Sequence, residues 1–132
     1  MDHNSHTEWK GELIFEAELR GFKHTMDGNN TIACSPKPYL LSSLAGCAGI
    51  DIIDILKKMR QQVTSLVIDV DADLTEEHPK VYKGIEIRIK IGGDNLDPKK
   101  VEKAVTLSKD KYCGVSAMLG KSAVLNYVVE YV

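Results

Sequence analysis

The feature that most constrains this chain is a helix-forming segment, Pro36 to Arg60, whose apolar residues cover nearly its whole circumference. Ser35 can cap this helix, and Pro36 suits its first turn, where no backbone N–H is needed. The apolar side chains are Leu40, Leu41, Leu44, Ala45, Cys47, Ala48, Ile50, Ile52, Ile53, Ile55, Leu56 and Met59. A helix that is apolar all round belongs inside a protein, and one sheet from 132 residues would not cover both its sides. We therefore expect a homodimer, in which a second copy covers the remaining face.

Stretches of alternating apolar and polar residues on either side of the helix predict β-strands. We expect strands within residues 12–20, 22–26, 65–74, 85–91 and 122–132. Asp97-Pro98 predicts the start of a second helix, with a short helical turn at 115–119. The order β-β-α-β-β-α-β indicates an α+β fold with mostly antiparallel sheets. We expect one domain over residues 1–132, with residues 1–7 as a flexible N-terminal segment.

Charge and composition exclude several classes of partner. The formal net charge is −2 and the basic residues do not cluster, so we expect neither a nucleic-acid nor a membrane partner. Residues 1–7 lack the basic start and apolar stretch of a signal peptide, which favours the cytoplasm. Thiols are normally kept reduced there, and a disulfide that forms is usually catalytic or redox-sensing.

The three cysteines are Cys34, Cys47 and Cys113, and their spacing matches neither CxxC nor a zinc motif. We therefore expect no metal and no cofactor. Cys47 lies among small residues, which leave room for a substrate to approach the sulfur and also suit close helix packing. Asp51, one turn later, would disfavour a thiolate at Cys47 if the two side chains are close.

Each candidate residue also has a structural interpretation. Cys47 and Cys113 can be reactive thiols or packing residues, because free cysteine is among the most buried residue types. Cys34 can be an incidental exposed thiol or a third redox participant. His24 can be a proton donor or a solvated histidine.

Two segments resemble the OsmC/Ohr family, the osmotically inducible and organic hydroperoxide resistance proteins. Residues 35–47, followed by Asp51-Ile52 and residues 55–60, are similar to the family's central helix. Residues 113–117, Cys-Gly-Val-Ser-Ala, are similar to its second cysteine motif. The order of the predicted elements also fits the family, and the Ala-Gly-Cys and Lys-Tyr-Cys motifs resemble the broad OsmC-like subgroup. The resemblance implies an OsmC-like fold, an intertwined homodimer with sheets around the central helices.

The resemblance also implies an activity, thiol-dependent reduction of organic hydroperoxides. Cys47 would be the peroxidatic cysteine and Cys113 the resolving one, with a dithiol such as a lipoyl group as reductant. Well-studied members have a glutamate shortly after the proline that opens the helix, and it holds an arginine against the thiolate. Here that stretch is Lys37-Pro38, and the loop from Asp27 to Cys34 has no arginine. Two alternatives therefore stay open: a protein that binds an apolar small molecule in the dimer-interface cleft, or a thiol redox sensor.

Overall fold

Three short strands at the amino-terminal end of the chain form an antiparallel sheet in the order β1-β2-β3. They are β1 (His6–Gly11), β2 (Ile14–Leu19) and β3 (Phe22–Asp27). The computed structural model describes residues 1–132 and places this sheet in one of two compact units, Met1–Leu40 and Leu41–Val132. The expectation of a single domain over the whole chain stays a prediction.

Strand β1 was not expected from the sequence, which predicted the first strand only from Glu12. Nearly all of its side chains are exposed, so the strand carries no alternation of apolar and polar residues. The turn at Arg20-Gly21 is confirmed: both residues have positive φ, 52° and 86°, as a tight two-residue hairpin requires.

The carboxy-terminal unit contains the second sheet, in the order β4-β5-β6. Its strands are β4 (Gln62–Leu74), β5 (Tyr82–Asp94) and β6 (Val124–Tyr131). Strands β4 and β5 form the expected antiparallel hairpin, in which Asp69 is the register partner of Arg88. Ion pairs join Asp71 to Arg88 and Asp69 to Lys90 diagonally between the two strands. Strand β6 pairs with β5 in parallel, so the prediction of mostly antiparallel sheets holds for every strand pair except this one.

Three helices accompany the sheets: α1 (Tyr39–Lys58), α2 (Pro98–Leu107) and α3 (Gly114–Leu119). A π-helical turn, Ser108–Tyr112, joins α2 to Cys113 just before α3. Helix α2 begins as predicted, because the Asp97 carboxylate accepts a hydrogen bond from the Lys99 backbone N–H at 3.0 Å.

The core of the carboxy-terminal unit lies between β5 and the helices. Four isoleucines on one face of β5 are buried: Ile85, Ile87, Ile89 and Ile91. They belong to one cluster with residues of α1 and α2 that include Leu44, Ile52, Leu56, Val101 and Ala104. Because the buried residues of α1 recur every four positions, they form a single stripe along the helix.

The opposite side of α1 stays apolar and exposed in the single chain. Ile50 is 73% exposed and Ile53 41%, although the sequence predicted a helix buried on all sides. The helix is also long and apolar enough to cross a membrane by length and composition alone. Only a minority of this helix is buried within the chain, and a location in the cytoplasm stays a prediction.

Candidate functional site

The fold brings together two cysteines that are far apart in the sequence. Cys47 lies in α1 next to the buried stripe and is half-buried, whereas Cys113 is buried. The Sγ atoms of both cysteines and a carboxylate oxygen of Asp51 all lie within 4.8 Å of one another. Because Cys47 and Asp51 are four residues apart on α1, they lie on the same face of the helix.

The position of Cys113 is fixed by the backbone around it. Its N–H donates to the carbonyl of Ser108 at 2.7 Å, which closes the π-helical turn. Its own backbone is extended, with φ −77° and ψ 100°, and it caps α3. The Ser116 N–H donates to the Cys113 sulfur at 3.3 Å, and the Ser116 hydroxyl donates to the Cys113 carbonyl at 2.9 Å. The start of α3 therefore holds the thiol in place.

Two further polar contacts surround the cysteine pair. The Val115 backbone N–H donates a hydrogen bond to the Cys47 sulfur. The Ser108 hydroxyl, which is buried, donates to Oδ2 of Asp51 at 3.0 Å. The π-helical turn and α3 thus supply hydrogen-bond donors to Cys47, Asp51 and Cys113.

The surroundings of Cys47 favour its protonated form. Burial raises the pKa of the Cys47 thiol, the Val115 amide lowers it, and a hydrogen bond to Cys113 and the charges of Cys113 and Asp51 raise it. The two charged groups named among these causes, Cys113 and Asp51, are both negative when ionised. The sequence-based expectation that a nearby Asp51 would disfavour the thiolate therefore agrees with the geometry.

Tyr127, in β6, is a member of this site that the sequence did not single out. Its hydroxyl is buried without a hydrogen-bond partner. Burial raises the pKa of Tyr127 and nearby Ser116 lowers it, while the charges of Cys113 and Cys47 add to the increase. The ammonium of Lys109 lies 5.5 Å from the ring centroid. In the sequence, Tyr127 was one of several apolar positions of an alternating strand, so nothing marked it as a site residue.

The other two candidates belong to the amino-terminal unit. The ring of His24 packs edge-on against that of Tyr39, with centroids 4.3 Å apart. Cys34 is exposed in the loop before α1. A chemical role for His24 or Cys34 stays a prediction.

Comparison with known proteins decides the family. Residues 27–128 match the family model described as OsmC-like protein. This chain belongs to the OsmC family. Protein YhfA of Escherichia coli (strain K12) is 34% identical to this OsmC-family chain over 127 residues, which cover 95% of each. The resemblance seen in the two cysteine motifs is thereby confirmed.

Solved structures confirm the α+β fold of this OsmC-family protein, with its two three-stranded sheets and central helix. The crystal structure of a hypothetical protein from Aquifex aeolicus VF5 is 31% identical, with a TM-score of 0.87, and the match covers 100% of this chain and 98% of that one. The organic hydroperoxide resistance protein OhrB of Bacillus subtilis has a TM-score of 0.68 at 12% identity, and the match covers 98% of each chain. At that identity the likeness shows the shared fold alone.

Proposed function

We propose that this OsmC-family protein is a two-cysteine thiol peroxidase that reduces organic hydroperoxides and so contributes to defence against oxidative stress. The observation that carries the proposal is the approach of the Cys47 and Cys113 sulfurs to within 4.8 Å. A disulfide needs an S–S distance of ~2 Å, so the two sulfurs have to move by less than ~3 Å. Because the backbone of Cys113 is held by hydrogen bonds, the shift has to come from rotation of the two cysteine side chains.

The proposed reaction has three steps. The Cys47 thiolate attacks a peroxide oxygen, the O–O bond breaks, and the alkoxide takes up a proton and leaves as an alcohol. Cys47 is then a sulfenic acid, and the Cys113 thiol condenses with it to form a disulfide and one water molecule. A dithiol reductant, such as a lipoyl group, restores both thiols by exchange and is itself oxidised to a disulfide.

Burial supports the assignment of Cys47 as the peroxidatic cysteine and Cys113 as the resolving one. Cys47 is half-buried and can be reached by a small hydroperoxide, whereas Cys113 is buried. The hydroxyl of Tyr127 is protonated at neutral pH, and burial raises its pKa further above the ordinary value. It would donate a hydrogen bond, and then the proton, to the leaving alkoxide.

Family membership supports the same chemistry. OhrB of Bacillus subtilis, which shares the fold, is by its name an organic hydroperoxide resistance protein. A cytoplasmic location fits as well, because the reductants there keep both thiols in the reduced form that the reaction requires.

We also propose that the working form is a homodimer. The exposed face of α1 forms an open apolar groove with a volume of about 590 Å³. Its lining includes Gly46, Gly49, Ile50, Ile53 and Leu66. Two glycines on this face permit the close approach of another helix, and the same helix of a second copy would cover the exposed isoleucines.

Turnover with defined substrates tests the proposed activity. The reduced protein is mixed with cumene hydroperoxide and dihydrolipoic acid, and peroxide consumption is followed. Wild-type protein and Cys34→Ser should turn over at the same rate, whereas Cys47→Ser should be inactive. Activity that survives in Cys47→Ser, or no consumption by the wild type, would contradict the proposal.

One observation favours a second candidate function, binding of an apolar small molecule. Because the pKa of Cys47 is raised, its thiol is mostly protonated at neutral pH and a weak nucleophile. A groove of about 360 Å³ lies beside the cysteine pair, lined in part by Asp51, Ile55, Met59, Leu107 and Tyr112. This function predicts thiols that stay reduced in excess peroxide, together with saturable binding of an apolar fluorophore. A redox sensor would instead form the Cys47–Cys113 disulfide rapidly without catalytic turnover.

A further inference from the structure

The cysteine pair and the carboxylate next to it form a cluster that peroxide chemistry does not require. Two sulfurs and one carboxylate oxygen, from Cys47, Cys113 and Asp51, lie within 4.8 Å of one another. We propose that these three residues of the reduced protein form a binding site for one divalent metal ion of the zinc class. The cysteine spacing predicted no metal, because Cys113 lies far from the other two ligands along the chain.

The distances suit a tetrahedral ion. Zinc binds thiolate sulfur at about 2.3 Å and carboxylate oxygen at about 2.0–2.2 Å, so neighbouring ligand atoms lie roughly 3.3–3.8 Å apart. Starting from separations of at most 4.8 Å, the distances between the three ligand atoms have to shrink by at most about 1.0–1.5 Å. Such a shift is within the reach of side-chain rotation, because none of the three ligands lies on a strand of the sheet.

The charges of the cluster also favour a cation. Thiol sulfur and carboxylate oxygen are both groups that bind zinc, and all three side chains are negative when ionised. Because the three atoms lie within 4.8 Å of one another, one divalent cation between them would be attracted to all three. Each thiol would release its proton as the metal–sulfur bond forms.

The surrounding hydrogen bonds resemble those that orient ligands in metal sites. The Ser108 hydroxyl donates to Oδ2 of Asp51 at 3.0 Å, which fixes the direction of the carboxylate. The backbone N–H groups of Val115 and Ser116 donate to the two sulfurs and would stabilise negative charge on them. Each of the three ligands therefore has a protein donor of its own.

Three protein ligands leave one tetrahedral position for water, the arrangement of zinc sites with an open coordination position. The Tyr127 hydroxyl is buried without a hydrogen-bond partner. The charges of Cys47 and Cys113 raise its pKa, so the hydroxyl lies near both sulfurs. Bound metal would occupy the lone pairs with which Cys47 attacks a peroxide. Metal binding and peroxide reduction at this site would thus exclude each other.

Titration of the reduced full-length protein with Co²⁺, followed by displacement with Zn²⁺, tests the site. We expect one Co²⁺ per chain, with the absorption bands of thiolate-to-metal charge transfer and of tetrahedral Co²⁺. Asp51→Asn should weaken binding at least tenfold. The matched controls are Asp54→Asn, which alters an exposed carboxylate on the same helix, and Cys34→Ser. Neither control should change the affinity.

Metal binding fails as a proposal if wild-type protein gives no charge-transfer band, or if Asp51→Asn binds as tightly as the wild type. Asp51→Asn is nearly isosteric, so it keeps the test decisive even if a cysteine variant does not fold. The peroxidase proposal is judged separately on metal-free protein. There, Asp51→Asn should speed the reaction of Cys47 with peroxide, the opposite of its effect on metal binding.

Discussion

The reactivity of Cys47 depends on three neighbours that lie in different elements. Val115 in α3 donates a hydrogen bond to the sulfur, whereas Cys113 and Asp51 oppose its ionisation. Only Asp51 could be identified from the sequence, because it lies one helical turn from Cys47. The donors from the π-helical turn and α3, and Tyr127 from β6, come close to the thiol only through the tertiary fold. The sequence therefore identified the two cysteines and Asp51 as candidates, but not the other groups that act on Cys47.

The first prediction concerns the charge of Asp51. In a Cys34→Ser background, Asp51→Asn removes a negative charge that raises the pKa of Cys47, so more thiolate is present at neutral pH. We expect alkylation of Cys47 by iodoacetamide to become several-fold faster at pH 7, since one pKa unit corresponds to about tenfold in thiolate. Mass spectrometry of the Cys47 peptide against time gives the rate.

The pH dependence of the alkylation rate provides a control for this experiment. For both proteins the rate should rise with pH through the thiol range, and the profile of Asp51→Asn should lie at lower pH. An unchanged profile would show that Asp51 does not act on the sulfur, whereas Asp54→Asn is expected to leave the profile unchanged.

The second prediction concerns Asp27, a buried carboxylate at the end of β3. It accepts hydrogen bonds from the backbone N–H groups of Asn29, Thr31 and Ile32 and from the Thr31 hydroxyl. These hydrogen bonds lower the pKa of Asp27 from 3.8 to about 2, and the bond from the Thr31 hydroxyl has the largest effect. A lowered pKa stabilises the folded state above pH ~4, and this contribution is lost as the pH falls towards 2.

Asp27→Asn should therefore weaken the acid dependence of stability. We expect the free energy of unfolding of wild-type protein to decline between pH ~4 and ~2 more steeply than that of the variant. Urea unfolding at several pH values measures both slopes. Asp2→Asn, at an exposed position, serves as the control, and equal slopes for wild type and Asp27→Asn would contradict the prediction.

At the scale of elements, predictions from sequence worked where one face is buried and failed where it is not. The isoleucines of β5 alternate with charged residues, and they form one buried face as expected. Strand β1 was not predicted, because nearly all of its side chains are exposed and they do not alternate between apolar and polar. The parallel pairing of β6 was not predicted, because the pattern of side chains does not show the direction of a strand. The π-helical turn was not predicted either, because an i→i+5 hydrogen bond has no side-chain pattern.

The third prediction measures what the buried face of β5 contributes. Ile87 is fully buried, and Ile87→Ala removes its methyl and methylene groups and leaves a cavity. We expect a loss of about 2–5 kcal/mol in the free energy of unfolding. Val124→Ala, at a position 76% exposed, should change it by no more than about 0.5 kcal/mol. Similar losses in the two variants would place the core elsewhere.

At the scale of the whole molecule, the single chain leaves apolar surface on α1 that a second copy would cover. A Cβ atom added at Gly46 would meet no atom within 4 Å, so this side of the helix is open. The sequence predicted the need for a partner from the apolar circumference of α1 alone. It could not show which side the chain itself would cover, because that depends on how the second sheet and α2 pack.

The fourth prediction is that Ile50→Glu dissociates the homodimer. Ile50 is 73% exposed in the single chain, so the substitution should cost little within the chain but bury an unpaired charge between two copies. Sedimentation equilibrium should give a dimer for wild-type protein and a monomer for Ile50→Glu. Thr106→Glu, at an exposed position of α2, is expected to remain dimeric. A monomeric wild type would contradict the dimer proposal.

The most direct measurement of the central claim is peptide mapping of reduced protein after exposure to one equivalent of cumene hydroperoxide. We predict the loss of two hydrogen atoms per chain and a Cys47–Cys113 disulfide within one chain, with Cys34 still alkylatable. Free Cys47 and Cys113 thiols after excess peroxide, or a disulfide that joins either of them to Cys34 instead, would contradict it.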